Sequence, residues 1–254
     1  MIELKNISKS FGDNNVLNDI SINYEKGKTN LIIGASGSGK SVLTKCTVGL
    51  IEPDEGQILY NGQDFTNMGL KDRKEIRKEI GMLFQGGALF DSMTVEENIL
   101  FPLQMHSDML PDEMRDRANE CLKRVNLINA NDKYPGEISG GMQKRVGIAR
   151  AIALKPKYLF CDEPNSGLDP ATSILIDNLI QEITIENEIT TIVITHDMNS
   201  VMEIGDKVMF IYKGKKFWEG TKDNIFKTEV KELVDLVFAS DLMKQIRADQ
   251  MKNP

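Results

Sequence analysis

The sequence predicts an α/β protein: a mainly parallel sheet flanked by helices, with an antiparallel β-subdomain and an α-helical insertion. Three observations carry this prediction. Short apolar runs at Leu31-Ile32-Ile33, Tyr158-Leu159-Phe160-Cys161 and Thr191-Ile192-Val193-Ile194-Thr195 have the pattern of strands buried on both faces. A glycine-rich stretch, Gly34-Ala35-Ser36-Gly37-Ser38-Gly39-Lys40-Ser41, joins the first of these runs to a helical pattern. Between about 94 and 153 the apolar spacing turns helical, with start signals at the expected places.

Taken in order, residues 2–33 read as strands: Ile2-Glu3-Leu4-Lys5 alternates, and Val16 to Tyr24 is punctuated by Asn and Asp. Residues 41–50 read as the helix after the glycine-rich stretch. Pro53-Asp54-Glu55-Gly56 is a turn signal, and Ile58-Leu59-Tyr60 runs into Asn61-Gly62, the signature of an antiparallel hairpin. Ile80-Gly81-Met82-Leu83-Phe84 is a further strand. Thr94 with Glu97 spells a capping box before Ile99, Leu100 and Phe101. Pro111 opens a second helix with Met114, Ala118, Cys121, Leu122 and Val125 on one face. A third helix begins near Met142 and aligns Val146, Ala149 and Ala153, while its cations Lys144, Arg145 and Arg150 read as a solvated face. A helix is expected over 171–187 and a strand over 208–212, with Lys213-Gly214-Lys215 as its hairpin turn. Residues from 226 onward read as a charged, partly amphipathic helical tail. No internal repeat or low-complexity linker interrupts the chain.

The length, 254 residues, suits one large domain or a domain with a subdomain. No stretch of ~18 apolar residues predicts a transmembrane helix. Met1-Ile2-Glu3-Leu4-Lys5 lacks the charged-then-apolar design of a signal peptide. A cytoplasmic protein is therefore expected, whose membrane role would need a spanning partner. The net charge is −7, with no basic stripe, which argues against a nucleic-acid partner. Cys46, Cys121 and Cys161 are an odd count at unrelated spacings, better read as buried reduced thiols than as disulfides or a metal site. His106 and His196 are too few for a His-rich metal site.

Residues 34–41 read G-x-x-x-x-G-K-S, and strand-before, helix-after is the context of a phosphate-binding loop. Glycines let backbone N–H groups turn inward around phosphate oxygens, and the helix start adds N–H donors and the positive end of its dipole. A nucleoside triphosphate is predicted, with Gly34 to Ser41 and Val42 around the phosphates. Lys40 would reach the β- and γ-phosphates and the Ser41 hydroxyl would bind Mg²⁺. The core is expected to be that of a phosphate-loop NTPase. Asp162-Glu163 follows the 158–161 strand, and ligands of open α/β sheets gather at strand carboxyl ends. Asp162 suits a direct or indirect Mg²⁺ contact, and Glu163 can polarise an attacking water. His196 also stands at a strand end. It can contact the γ-phosphate and the water, or cap a helix, or sit in the core. Gln85 reads as a Mg²⁺ or water ligand that can also sense a neighbouring subunit, or as a plain loop residue. Ser139-Gly140-Gly141 opens the third helix as a second anion site, or as a tight turn with a serine cap. Phe11 is a lone aromatic in a loop, or a core residue.

In this order and spacing, together with Asp169, these positions resemble the nucleotide-binding subunit of ATP-binding cassette (ABC) transporters over about residues 2–225. Among phosphate-loop proteins the serine-glycine-glycine signature belongs to that family. The resemblance implies an ABC-type nucleotide-binding domain over 1–225, a helical subdomain of about 90–153 inserted in it, and a tail over 226–254. It implies that Phe11 stacks on adenine, that Gln85 is the Q-loop glutamine, that Ser166-Gly167-Leu168-Asp169 is the D-loop and that His196 is the switch histidine. Two copies would pair head to tail around two ATP, Ser139-Gly140-Gly141 of one closing on the γ-phosphate held by Lys40 of the other. Hydrolysis with Glu163 as base would release the pair, and transmembrane permease subunits would be driven through a groove near Gln85. Ile138 and Met142 replace the usual Leu and Gln, and Asn165 stands where Thr or Ser is usual.

The segment Phe84-Gln85-Gly86-Gly87-Ala88-Leu89-Phe90-Asp91-Ser92-Met93-Thr94-Val95, with Asn98 and Phe101-Pro102-Leu103, is similar to ATPases of bacterial Mla lipid-transport systems. So is Ser139 to Gly147, where Met142 is then expected. This implies phospholipid transport between inner and outer membranes, maintaining outer-membrane lipid asymmetry. It also implies a membrane-anchored substrate-binding protein beside the permease, and a peripheral location on the cytoplasmic face of the inner membrane. Another cargo (amino acid, metal or lipoprotein) is the alternative. A soluble ABC ATPase outside transport is the second, and a single cassette without a heptad run weighs against it.

Overall fold

The computed structural model describes residues 1–239 and 241–252. The chain divides into two compact units, one from residues 1–67 with those from 194 onward, the other from residues 68–193.

In the first unit, β1 (Ile2–Phe11) pairs antiparallel with β2 (Asn14–Tyr24), Ile2 opposite Tyr24. Ile2, Leu4 and Ile7 of β1 and Leu17, Ile20, Ile22 and Tyr24 of β2 are buried, one apolar face of a half-solvated sheet. The alternation shifts at Asn6 and Asp19, both left-handed (φ 53 and 57) and joined by a 2.7 Å bond from the Asn6 amide to the Asp19 carboxylate. A bulge here returns Ile7 and Ile20 to the core face. β3 (Thr29–Ile33) is buried at every residue, as its apolar run demands. α1 (Lys40–Thr47) follows it. β4 (Glu55–Tyr60) pairs with the other edge of β1 and, through Asn61-Gly62, with β5 (Gln63–Asp64). The sheet order is β2-β1-β4-β5. Helix α1 ends at Thr47, earlier than the expected 50, where Gly49 turns left-handed (φ 74). Glu55 and Gly56, expected in a turn, already belong to β4.

The second unit holds α2 (Leu70–Lys78), β6 (Ile80–Leu83), α3 (Val95–His106), α4 (Pro111–Arg124), α5 (Gly140–Ile152), β7 (Tyr158–Asp162), α6 (Pro170–Glu186) and β8 (Thr190–Ile194). β6 runs parallel to β7 with Leu83 opposite Cys161, and β7 neighbours β8. The α3 capping box forms as its residues predict: Thr94 Oγ1 accepts the Glu97 amide at 3.2 Å and Glu97 accepts the Thr94 amide at 2.7 Å. α3, α4 and α5 pack on one another through Val95, Ile99, Ala118, Cys121, Leu122, Val146 and Ala149, all buried. Each large apolar side chain so buried contributes about 1.5–3 kcal/mol. Gly81 lets β6 lie against α5, since a Cβ there would strike the Ala151 carbonyl.

The chain then returns to the first unit with α7 (Met198–Ile204) and β9 (Lys207–Tyr212), which runs parallel to β3 with Phe210 opposite Ile33. β10 (Lys215–Gly220) turns back antiparallel to β9, through the expected Lys213-Gly214 turn. α8 (Lys222–Ile225) closes the stretch before residue 226, and α9 (Lys231–Val237) and α10 (Asp241–Lys252) are the helices of the expected tail. Leu233, Val237 and Phe238 are buried, and the Arg247 guanidinium donates to the Phe226 and Thr228 carbonyls and lies 4.9 Å over the Phe238 ring. Of the tail expected over 226–254, Ser240, Asn253 and Pro254 lie outside the described residues. All three cysteines are buried free thiols, and burial pushes Cys46 and Cys121 up to about 11. Among the described residues no helix is long and apolar enough to cross a membrane.

Candidate functional site

The phosphate-type loop leaves the carboxyl end of β3, where the chain must turn at once into α1. Gly34, Gly37 and Gly39 take φ 155, 76 and 104. Only the last two lie well inside the left-handed region, where a side chain would be strained. Gly34 is fixed by space, because a Cβ there would strike the Ile211 carbonyl. Lys40, 7% exposed, folds its ammonium back over the loop and donates to the Gly34 and Ala35 carbonyls at 2.7 and 2.9 Å. Ser38 is buried, and its hydroxyl has no hydrogen-bond partner among the described residues. Ser41 is exposed on the first turn and Val42 is half-buried. Gly39 is the N-cap of α1 and, being glycine, has no side chain to cap the first-turn amides.

His196 belongs to the same unit, exposed just past β8. The next residue, Asp197, caps α7 by accepting the Asn199 amide at 2.9 Å. So His196 is neither the cap nor a core residue. Phe11 is not in a loop but ends β1, and it is 49% exposed, which rules out the core reading.

In the second unit, Asp162 is the last residue of β7 and half-buried. Glu163 follows in a left-handed conformation, φ 50. A non-glycine residue held there costs of order 1–3 kcal/mol, and such strain clusters at functional sites. Ser139 caps α5, its hydroxyl accepting the Met142 amide at 3.3 Å, so the helix starts at Gly140 rather than near Met142. The two glycines differ. A Cβ on Gly141 would come within 2.7 Å of Thr172 Cγ2, so Gly141 is needed for packing against α6. A Cβ on Gly140 would meet only Leu168, at an ordinary 3.9 Å. Asp169 caps α6, accepting the Thr172 hydroxyl at 2.6 Å and the Thr172 amide at 3.0 Å, which hold its carboxyl below the usual range.

Gln85 is exposed in a loop whose next three residues, Gly86, Gly87 and Ala88, all have positive φ. This loop is clamped from two sides. The Arg150 guanidinium donates to the Gly87 and Ala88 carbonyls at 2.8 and 2.9 Å and lies 5.8 Å over the Phe90 ring. Asn98, fully buried on α3, accepts the Phe90 amide at 2.8 Å and donates to the Phe90 carbonyl at 3.1 Å.

Arg150 therefore contradicts the solvated face expected of α5. Lys144 does too: it is buried and donates to the Glu163 carbonyl at 3.3 Å and the Ser166 hydroxyl at 3.5 Å. Arg145 donates to the Val125 and Asn126 carbonyls at 3.2 and 2.8 Å. Desolvation lowers all three pKa values, for Lys144 against the opposing charges of Glu163 and Asp162. One signal in the chain could have revealed this. Val146 to Ala149 and Ala151 to Ala153 leave no wide polar face on α5, so its cations must lie inside or at its edges.

The ABC transporter family model matches residues 17–166. The chain is a member of the ABC transporter family. It is 40% identical over 212 residues to the probable ribonucleotide transport ATP-binding protein mkl of Mycobacterium leprae, covering 84% of this chain and 61% of that protein. The chain thus spans about six-tenths of that relative's length. It is 38% identical to the methionine import ATP-binding protein MetN of Desulfitobacterium hafniense, covering 100% of this chain and 77% of that one. Among solved structures, the ATP-binding cassette MJ0796, a dimer in a post-hydrolysis state bound to ADP and Pi, superposes with TM-score 0.80 at 32% identity. That likeness covers 87% of this chain and 99% of the other. CbiO1 of Clostridium perfringens, part of the ABC transporter complex CbiONQ, gives 0.82 at 29% identity over 98% of both chains. The α/β fold described above is that of an ABC cassette.

Proposed function

We propose that this chain is the ATP-hydrolysing subunit of an ABC transporter, pairing head to tail with a second copy around two ATP and driving a separate transmembrane permease. The observation that carries the reading is the phosphate loop of β3 and α1: a helix start capped only by a glycine, a buried lysine and the buried Ser38 hydroxyl, a donor set suited to phosphate oxygens. ATP with Mg²⁺ fits these residues. Lys40 holds the β- and γ-phosphates, amides from Gly34 to Val42 line them, and Phe11 offers an exposed ring to adenine. Mg²⁺ neutralises phosphate charge and takes most of its ligands from phosphate and water, so few protein ligands suffice. Ser41, Asp162 and Gln85 are the side chains assigned to it. Glu163 orients and deprotonates the attacking water, and His196 and Gln85 contact the water or the γ-phosphate. Ser139, Gly140 and Asp169 act on the ATP of the partner copy. Gly140, which no packing among the described residues requires, leaves room for close approach there.

For the cargo we infer phospholipid moved between inner and outer membranes, from a permease and a membrane-anchored substrate-binding protein at the inner membrane's cytoplasmic face. The segment Phe84 to Leu103, with Met142, supports this through its likeness to lipid-transport ATPases. A second reading, small-molecule import, is favoured by the methionine and ribonucleotide relatives. Affinity capture of the chain from solubilised membranes separates the two. A polytopic permease co-purifying with phospholipid is expected; a permease of another class without lipid would sink the lipid reading.

A further inference from the structure

Lys144 is a buried cation that the catalytic assignment leaves unused. A lysine on a helix edge can ordinarily run its stem along the surface and keep its ammonium in water. This one is 4% exposed and donates to two neutral acceptors, the Glu163 carbonyl and the Ser166 hydroxyl. Burying an ammonium is costly, and the Glu163 and Asp162 charges nearby offset only part of that cost, so the arrangement persists only where the surroundings enforce it. What it touches is the left-handed turn after β7. The Glu163 carbonyl, at φ 50, also accepts the Ser166 amide at 3.2 Å, so the turn closes on the atom that Lys144 reaches. At the far end of the same loop, Gly141 backs onto Thr172, whose hydroxyl donates to Asp169. Helix α5, which begins beside Ser139, thus grips the 163–169 loop at both ends.

We propose that Lys144 is a positioning residue: it locks the Glu163 turn to α5, so that the Glu163 carboxylate is presented in one orientation and moves with the Ser139 helix start. The proposal rests on the reading of Glu163 as the base. The experiment measures kcat and KM for ATP in the full-length chain, with amide hydrogen exchange over 163–168 as a readout independent of turnover. Lys144→Met keeps the volume and removes the donor. It should lower kcat about tenfold or more and leave KM within about twofold, because only orientation in the transition state is lost. Exchange over 163–168 should quicken by about fivefold or more. Ser166→Ala should lower kcat about two- to threefold, and add nothing in the Lys144→Met background. Unchanged kcat and exchange in Lys144→Met would overturn the proposal, as would a loss confined to KM. If Lys144→Met does not fold, Ser166→Ala decides by the same two readouts. Glu163→Gln separates the two layers. If it turns over like the wild type, the base assignment itself fails. If it stops turnover while Lys144→Met does not change it, only the role of Lys144 fails.

Discussion

Helices α1 and α5 both start at a serine–glycine pair, Ser38-Gly39 and Ser139-Gly140, yet their starts are finished differently. α1 has Gly39 as its cap, left-handed at φ 104, which offers no side chain to its first amides. A lysine in its first turn folds over the loop instead. α5 has Ser139 as its cap, and the Ser139 hydroxyl already takes the Met142 amide. The first start keeps its N–H donors for an anion and carries a cation beside them. The second spends one donor on itself and brings no cation to its tip, since Lys144 and Arg150 turn to carbonyls elsewhere. A helix start of the first kind is suited to bind phosphate within one chain; one of the second kind is suited to supplement a phosphate already held. This contrast is the physical ground on which we propose a site completed by a second copy.

Five substitutions sharpen or break this contrast, in order of expected effect. Glu163→Gln removes the carboxylate proposed as the base; kcat should fall by about 10²–10⁴-fold, with an ATP-bound dimer accumulating on size exclusion. Lys40→Ala should weaken ATP binding by about 100-fold in calorimetry, because a charge-assisted contact to two phosphates is lost. Ser139→Phe should cut hydrolysis by about tenfold or more, with ATP affinity of the isolated subunit unchanged; weaker binding by the monomer would place Ser139 on its own chain's nucleotide and erase the distinction. Arg150→Met leaves the Gly87 and Ala88 carbonyls unpaired. It should cost about 1–3 kcal/mol in denaturant unfolding and loosen the Gln85 loop in hydrogen exchange. Thr94→Ala opens the α3 capping box and should cost about 0.5–2 kcal/mol in the same assay, with little change in kcat.

The loop between β3 and α1 was legible in the chain because most of its shape is local: Gly37 and Gly39 turn left-handed and Lys40 folds back to the Gly34 and Ala35 carbonyls. The Thr94 cap was legible for the same reason, closing on an amide three residues ahead. The cations of α5 were not. The narrow polar face of α5 shows only that its cations lie inside or at its edges, and the partners of Lys144, Arg145 and Arg150 lie 19–63 residues away along the chain. Phe11 was misplaced because the turn at Gly12 is so tight that strand pairing runs to its edge, with Phe11 opposite Asn14.

The sequence alone therefore determined which strands are buried on both faces, where the phosphate loop lies, and which residue types stand at the strand ends. These follow from apolar period, glycine placement and side-chain chemistry, all read at short range. Only the tertiary structure decided that Gly141 is a packing residue while Gly140 is open, that Glu163 is held left-handed, and that a lysine and an arginine of one helix clamp two separate loops. Those depend on which carbonyls and methyls the fold brings against α5, and no spacing along the chain encodes that.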